Sequence, residues 1–270
     1  MQMKLEAEGP EISNWVQKDI LDAGVPLCSL EGFSVKEERV TALFERRRST
    51  KRPSTWGALG IASFLMKNEN VNDWKSKCKL AEVLRVPLYL VVWRAPDDTF
   101  PIYAIKYSDS SLTASLVTDL TNCEELAKWL GSFKGIPVSK RFLEPGRLSV
   151  IDECLRKHRM PWPGNLDGFI MRASNLPSVL IEFARTEQKP VRKHNLNDYF
   201  PQDIHRWKPF EIARRCLNVP FLILTWSSNE KIVKSQELIE FDESASPHLR
   251  MGNEEILSSA QVIKKLERFC

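Results

Sequence analysis

The sequence lacks several features that mark common classes of protein. Its apolar run Val86 to Trp93 is far shorter than the roughly 20 residues that a membrane-spanning helix needs. The N-terminal residues MQMKLEAEGPE are acidic and polar and do not resemble a secretory signal. Six scattered cysteines form no CxxC pair, and the four histidines have no ligand spacing, so a zinc site is not indicated. We therefore expect no membrane partner, reduced thiols, surface histidines and a cytoplasmic location.

A strong excess of charge of either sign is also absent. The formal net charge is only +4, which permits binding to nucleic acid but does not argue for it. The apolar share of 43% is ordinary for a globular protein. A chain of 270 residues is long enough for one large domain or for two of ordinary size, each with its own core.

The chain contains a tandem repeat. Residues 10–33 align without a gap with residues 146–169, and both segments end in an acidic residue followed by Gly-Phe. Further on, 41–48 aligns with 178–185, Trp74-Lys75 aligns with Trp207-Lys208, and 80–93 aligns with 213–226. This self-similarity predicts two domains of the same plan. Their predicted bounds are 1–133 and 146–270, with a linker at 134–145 that is rich in Pro, Gly and charge.

The sequence pattern of each half predicts the same order of secondary-structure elements. An amphipathic helix, with Ser13 or Ser149 as its cap, precedes two strands, a helix, a buried strand, a further strand and a closing helix. This order predicts an α/β fold in which two repeated modules each have a mixed sheet flanked by helices. The predicted strands are 32–36, 40–48, 87–93 and 102–107 in the first half, and 168–172, 178–186, 220–226 and 232–241 in the second.

Acidic residues occupy matching positions on the paired strands of both halves. In the second half, Asp167 precedes an apolar segment and Glu182 lies within the next one; Glu31 and Glu45 are their counterparts in the first. Two neighbouring strands bring such carboxylates to one edge of a sheet. A hard cation, Mg²⁺ or Mn²⁺, takes oxygen ligands of this kind. The alternatives are a turn role for Asp167, which precedes Gly, and a solvent-facing strand position for Glu182.

The order helix, strand with Asp, strand with Glu, helix and buried strand resembles the PD-(D/E)XK, or restriction-endonuclease-like, nuclease superfamily. In that superfamily an Asp and a Glu hold one or two divalent metals, and a Lys two positions after the Glu steadies the attacking water or the phosphate. The resemblance implies metal-binding and catalytic roles for Asp167 and Glu182, and for Glu31 and Glu45. The strand lysine is missing, because position 184 is Ala and position 47 is Arg.

A lysine on the following helix is the expected replacement. Members of the superfamily are known in which the catalytic lysine has moved to that helix, and the resemblance therefore implies catalytic roles for Lys208 and Lys75. The alternative for Lys208 is a residue that merely lies over Trp207. Trp74 and Trp207 themselves are expected in the core. The shared arginines Arg48 and Arg185 stand three positions after each Glu, so alternation predicts that they face the opposite side of the strand.

Basic residues follow the site-bearing strand in both halves. Such clusters are typical of contacts with the phosphates of nucleic acid, although a solvated loop is the alternative. The candidates for these contacts are Arg46, Arg47, Arg48, Lys51, Arg52, Arg185, Lys189, Arg192 and Lys193.

The sequence as a whole therefore predicts a Mg²⁺-dependent nuclease that hydrolyses phosphodiester bonds of nucleic acid. Double-stranded DNA is favoured over RNA as the substrate. The second half is the preferred site, and the first is either a second site or a degenerate partner that helps to bind. The chain is expected to be a monomeric pseudo-dimer or a homodimer. The alternative function is a nuclease-derived module that binds nucleic acid or another protein without cutting.

Overall fold

The computed structural model describes residues 5–7, 14–49, 57–95, 98–134, 149–199 and 204–270. The strands are β1 (Leu5–Ala7), β2 (Leu27–Lys36), β3 (Arg39–Ser49), β4 (Leu88–Arg94), β5 (Phe100–Ser108), β6 (Ser111–Leu120), β7 (Gly164–Met171), β8 (Pro177–Arg185), β9 (Phe221–Trp226), β10 (Val233–Phe241), β11 (Leu249–Met251) and β12 (Glu255–Leu257). The helices are α1 (Trp15–Asp22), α2 (Ala58–Asn68), α3 (Val71–Leu84), α4 (Cys123–Gly131), α5 (Val150–Lys157), α6 (Ile204–Leu217) and α7 (Ser259–Leu266).

The described residues form two compact units. The first comprises those within 1–11 and 30–165, and the second those within 12–29 and 166–270. Helix α1 therefore belongs to the second unit and helix α5 to the first, so each sequence half contributes its opening helix to the unit built mainly from the other half. The predicted domain bounds, 1–133 and 146–270, were set from the similarity between the two halves of the sequence, and they stay a prediction. The predicted linker lies outside the described residues from position 135 onward.

The strands of the first unit follow the order β2-β3-β4-β5-β6. Strands β3 and β4 run parallel, and the other neighbouring pairs in this order are antiparallel, so the pairing is mixed as predicted. Helices α4 and α5 cover one face, where Phe44 and Val91 pack against Leu126 and Ile151. Helix α3 also packs on these strands and contributes the buried Trp74.

The second unit has the strand order β7-β8-β9-β10, with β11 and β12 both pairing with β10. Here β8 and β9 are the parallel pair. Helices α1 and α7 bury Val16 and Val262 with Ile181 and Leu224 of the strands. The α/β class, with mixed strand pairing and flanking helices, is therefore confirmed. Among the described residues, no helix combines the length and the apolar character needed to span a membrane.

The helix caps account for several element boundaries. Ser149 caps α5 as predicted, because its hydroxyl accepts the N–H of Asp152. Helix α1 is capped instead by Asn14, whose side-chain oxygen accepts the N–H groups of Val16 and Gln17. The predicted cap, Ser13, is the residue before Asn14 and lies outside the described residues. The buried positions of Trp74 and Trp207 confirm both as core residues.

Two expectations from the sequence are wrong. Cys123 and Cys154 form a disulfide instead of remaining thiols, because the packing of α4 against α5 brings their Cα atoms to 5.5 Å across a separation of 31 residues. The spacing of the cysteines gave no sign of this pair. His194 is buried in the second unit instead of lying at the surface, and its burial lowers its pKa. The sequence analysis also missed α2 and the strands β1, β6, β11 and β12.

We expect Gly32→Ala to destabilise the protein by about 1–3 kcal/mol. A Cβ at this position on β2 would lie 2.9 Å from Nε1 of Trp162 and 3.3 Å from Cβ of Phe44. Gly164→Ala is the control, since a Cβ there meets no atom within 4 Å. Denaturant titration of the two variants tests this, and equal midpoints would show that the close approach at Gly32 relaxes without cost.

Candidate functional site

The candidate site lies in the first unit, where alternation along β3 turns Glu45 and Arg47 to the same face. The side chain of Glu45 is buried, with 1% of its surface exposed. Its Oε1 accepts the backbone N–H of Glu31 on β2 at 3.3 Å. The structure thus brings together the two acidic positions that the sequence singled out in the first half.

A lysine from α3 neutralises the buried glutamate. Nζ of Lys77 lies 3.0 Å from Oε1 of Glu45 and 2.8 Å from Oδ2 of Asp73, one turn earlier on the same helix. Burial opposes the charged form of Lys77, but the two carboxylates outweigh it and hold the pKa of the ammonium above its usual value. Lys77 is therefore a buried cation whose charge is balanced locally.

Arg47 joins three carboxylates of the site. Its guanidinium forms a bidentate pair with Glu69, with Nε–Oε1 at 3.0 Å and Nη2–Oε2 at 2.8 Å. Its remaining nitrogen, Nη1, donates to Oε1 of Glu31 at 3.1 Å and to Oε2 of Glu45 at 3.3 Å. Nε1 of Trp74 donates to Oε2 of Glu69 at 2.8 Å and so fixes the carboxylate that binds Arg47.

Arg46 contacts Glu31 from the neighbouring position. Its Nε donates to Oε2 of Glu31 at 3.1 Å, while Nη1 donates to Oδ1 of Asp152 on α5 at 2.9 Å. The guanidinium lies 5.0 Å from the centroid of Trp162, whose own Nε1 donates to the backbone oxygen of Glu31 at 2.9 Å. Glu31 is thus held through both its carboxylate and its backbone.

We call these side chains the Glu45 cluster: Glu31, Glu45, Arg46, Arg47, Glu69, Asp73 and Lys77. The cluster contains four carboxylates and three cations, so negative charge is in excess when all are ionised. Burial raises the pKa of Glu31 to about 7, with the charge of Glu45 adding to the rise and Arg47, Arg46 and Lys77 opposing it. Glu69 behaves differently: burial works to raise its pKa, but hydrogen bonds from Arg47 and Trp74 outweigh it and lower that pKa.

Three oxygen atoms surround Nη1 of Arg47. Besides the two carboxylate oxygens, this nitrogen donates to the backbone oxygen of Arg46 at 2.7 Å. Two carboxylates and a carbonyl are the hard oxygen ligands that Mg²⁺ and Mn²⁺ prefer, and Mg²⁺ needs only one or two protein carboxylates besides water and phosphate. Across the described parts of the chain, no group of three or more His, Cys, Asp or Glu side chains is placed to hold a metal ion.

The second unit arranges its acidic residues differently. Oδ2 of Asp167 accepts the backbone N–H of Phe183 at 3.0 Å, and Glu182 is completely buried. The positions aligned with Arg47 and Lys77 are Ala184 and Phe210, neither of which carries a charge. The predicted Lys208 lies on α6 and pairs with Glu243 at 3.3 Å.

Arg48 and Arg185 lie on the face opposite to the glutamates, as alternation predicts. Strand β3 pairs Arg48 with Trp93, and strand β8 pairs Arg185 with Trp226. Each guanidinium lies over the indole of its partner, at 5.0 Å and 5.5 Å from the ring centroids. The shared arginines and the shared tryptophans that end the buried strands are therefore explained by one cation–π contact in each unit.

The other predicted basic residues have varied surroundings. Lys75 lies with its Nζ 5.9 Å from the centroid of Tyr107, away from the carboxylates. Lys189 pairs with Asp198 at 2.7 Å, and Arg192 and Lys193 are exposed. Lys51 and Arg52 lie outside the described residues.

Three members of the Glu45 cluster, Lys77, its partner Asp73 and Glu69, were missed by the sequence analysis. Trp74, Cys78 and Ala81 form an apolar stripe at positions i, i+4 and i+7 of a helix. Lys77 lies within this stripe, at position i+3. A lysine in such a stripe is buried and needs a partner, so this signal was present. Glu69 follows α2, in the part of the chain where the two halves do not align, and no pattern marked it.

We expect Lys77→Met to destabilise the protein by about 3–5 kcal/mol, because it leaves the buried Glu45 without its closest cation. Lys75→Met, two residues away on the same helix, is the matched control and should cost less than about 1 kcal/mol. Urea unfolding of both variants measures the difference. A small effect at Lys77 would mean that Arg47 alone neutralises Glu45.

The stability of the wild-type protein should depend on pH through Glu31. The pKa of this group is about 7 in the folded protein and 4.5 ordinarily, so the folded state binds the proton more tightly. The resulting stabilisation is complete below pH 4.5 and is lost as the pH rises through 7, by at most about 3 kcal/mol. Glu31→Gln cannot titrate there. The gap in unfolding free energy between variant and wild type should therefore change between pH 5 and 8, and a constant gap would contradict the raised pKa.

Comparison with known proteins leaves the family of this chain open. No protein-family model matches it, and no curated protein matches its sequence. The function proposed below therefore depends on the side chains of the first unit.

Proposed function

We propose that this protein is a Mg²⁺-dependent nuclease that hydrolyses phosphodiester bonds of nucleic acid, with DNA favoured as the substrate. The observation that carries the proposal is the contact of Lys77, on helix α3, with the paired carboxylate Glu45. The resemblance to the PD-(D/E)XK superfamily calls for two strand carboxylates and a lysine, and allows that lysine on this helix. Lys77 lies two residues beyond the expected Lys75, and its contact with Glu45 supports the proposal.

We propose further that the two units are repeats of one module. Their registers support this: β3 pairs Glu45 with Leu90 of β4, and β8 pairs Glu182 with Ile223 of β9, which are aligned positions of the two halves. In the same way, β2 pairs Gly32 with Phe44 of β3, and β7 pairs Gly168 with Ile181 of β8, again at aligned positions. One chain would then carry the equivalent of a dimer, either as a monomer or within a homodimer.

The donor set of the Glu45 cluster fits a hard divalent ion. Glu31, Glu45 and the backbone oxygen of Arg46 would hold it, and the excess of carboxylates favours an added positive charge. A metal bound there would lower the pKa of a coordinated water and stabilise negative charge on the phosphate. Lys77 fixes the orientation of the Glu45 carboxylate, and Arg46 with Trp162 fixes Glu31.

The second unit is assigned a supporting role in this proposal. Ala184 and Phe210 stand at the positions of the two cations Arg47 and Lys77 of the first unit, beside the buried Glu182. The exposed Arg185, Arg192 and Lys193 remain suited to hold the nucleic-acid backbone. The preferred site thus moves from the second half of the chain to the first.

A second candidate function is a module that binds nucleic acid without cutting it. The observation that favours it is the position of Arg47, whose Nη1 lies against both carboxylates. A guanidinium that stays there keeps a metal ion out, and the Glu45 cluster then serves stability alone.

We expect the wild-type protein to cut at least one member of a panel of supercoiled plasmid, linear duplex, single-stranded DNA and RNA in Mg²⁺ or Mn²⁺. Glu45→Gln and Glu31→Gln, which keep the side-chain volume, should each lower the rate by at least about 100-fold. Asp167→Asn is the matched control in the second unit and should retain the rate.

Cutting that survives the substitutions at Glu31 and Glu45 but not Asp167→Asn would place the chemistry in the second unit. Salt-sensitive binding of nucleic acid without any cutting would support the binding module instead. Thermal unfolding of every variant excludes loss of fold as the cause.

A further inference from the structure

Each unit contains one pair of packed helices that occupies a corresponding place in the predicted repeat. In the first unit α4, which closes the first half of the sequence, packs against α5, which opens the second half. In the second unit α7, which closes the second half, packs against α1, which opens the first. Both pairs bury apolar side chains against the strands of their own unit.

A different bond joins each helix pair at the same place. Counted from the capping residue of each helix, Cys123 and Ser259 both hold the first position, and Cys154 and Asp19 both hold the fifth. Cys123 and Cys154 form the disulfide, whereas the hydroxyl of Ser259 donates to Oδ2 of Asp19 at 2.7 Å. The second unit thus forms its helix pair without a covalent bond, so the disulfide of the first unit is not a requirement of this packing.

Helix α5 depends on its attachments for its order. It has only eight residues, and an isolated helix of two turns is not stable in water. Ile151 and Leu155 bury it against the unit, and Cys154 ties it covalently to α4. When that bond is open, the covalent path from Cys123 to Cys154 runs only along the chain, over a separation of 31 residues. Local opening of α5 is then more frequent, because only non-covalent contacts oppose it.

Helix α5 also carries the groups that hold Arg46. Oδ1 of Asp152 accepts a hydrogen bond from Nη1 of Arg46 at 2.9 Å, and the hydroxyl of Ser149 accepts from the same nitrogen at 3.2 Å. Arg46 in turn donates through Nε to Oε2 of Glu31 at 3.1 Å. Asp152 stands two residues before Cys154, so the disulfide fixes the part of α5 that supports the Glu45 cluster.

We propose that the disulfide between Cys123 and Cys154 is a redox-sensitive switch, which fixes α5 when it is oxidised and allows α5 to open when it is reduced. Opening of α5 removes Asp152 and Ser149 from Arg46 and so weakens the support of Glu31. This inference goes beyond the proposed function and does not depend on it, because it concerns the order of α5 and not the cutting of nucleic acid.

The reductant is a dithiol, and it attacks at Cys123. Cys154 is buried, whereas Cys123 is partly exposed. A thiolate of the dithiol bonds to Sγ of Cys123, the disulfide bond breaks, and Cys154 leaves as a thiolate. The second thiol of the reductant then displaces Cys123 from the mixed disulfide. The reductant ends as a cyclic disulfide, and its two electrons and two protons are transferred to the two cysteines.

The test is hydrogen exchange of the full chain, read by mass spectrometry before and after treatment with dithiothreitol. The amides of α5 should exchange at least about tenfold faster after reduction, and reoxidation should restore the slow rate. Helix α1 is the matched control, because the bond between Ser259 and Asp19 is insensitive to the reductant. Helix α3, in the same unit as α5, should also keep its rate.

Two variants complete the test. Cys123→Ser cannot form the disulfide and should show fast exchange of α5 without reductant. Cys216→Ser, which changes an exposed free cysteine, should exchange like the oxidised wild type. If Cys123→Ser does not fold, the comparison of oxidised with reduced wild type decides.

Three outcomes would overturn the inference. The first is unchanged exchange of α5 after alkylation has shown that both thiols are free. The second is equal acceleration in α5 and α3, which would make the disulfide a stabiliser of the whole unit. The third is a disulfide that dithiothreitol does not open in the folded protein. None of these outcomes bears on the proposed nuclease activity, which is measured by cutting.

Discussion

The burial of Glu45 is the constraint on which the first unit depends. An ionised carboxylate with almost no contact with water is costly unless cations stand beside it, and Lys77 and Arg47 meet that requirement from a helix and from the same strand. The position of α3 against the sheet, the burial of a lysine in an apolar helix face and the pair between Arg47 and Glu69 all follow from it.

The two units differ in the residues that surround their buried strand glutamates, Glu45 and Glu182. At the aligned positions the first has an arginine and a lysine, and the second has Ala184 and Phe210 beside a buried Glu182. The hydrophobic positions of the strands, the close glycines and the arginine–tryptophan contacts are retained in both. Features that serve packing are therefore shared, whereas the cations Arg47 and Lys77 have uncharged residues at the aligned positions of the second unit.

Much of the fold was predictable because the similarity between the two halves of the sequence allowed each element to be inferred twice. The paired strands, the buried strand after Val-Pro and the closing helix were all found in this way, and Glu31 and Glu45 followed from their place on paired strands. The comparison of the halves also had a cost. It favoured Lys75, which has a counterpart in Lys208, over Lys77, which faces Phe210 in the alignment. Helix α2 and the adjacent Glu69 fall where the halves differ, so a search for shared positions passed over them. The disulfide could not be predicted from the sequence, because it depends on the packing of α4 against α5.

That disulfide has a consequence for the connectivity of the molecule. Cys123 precedes the predicted linker and Cys154 follows it, so the two sequence halves are joined twice, once through the backbone and once through sulfur. A protease that cuts anywhere between the two cysteines leaves a single covalent molecule. The halves of such a nicked chain would migrate together on a gel until a thiol is added, and they would separate only then.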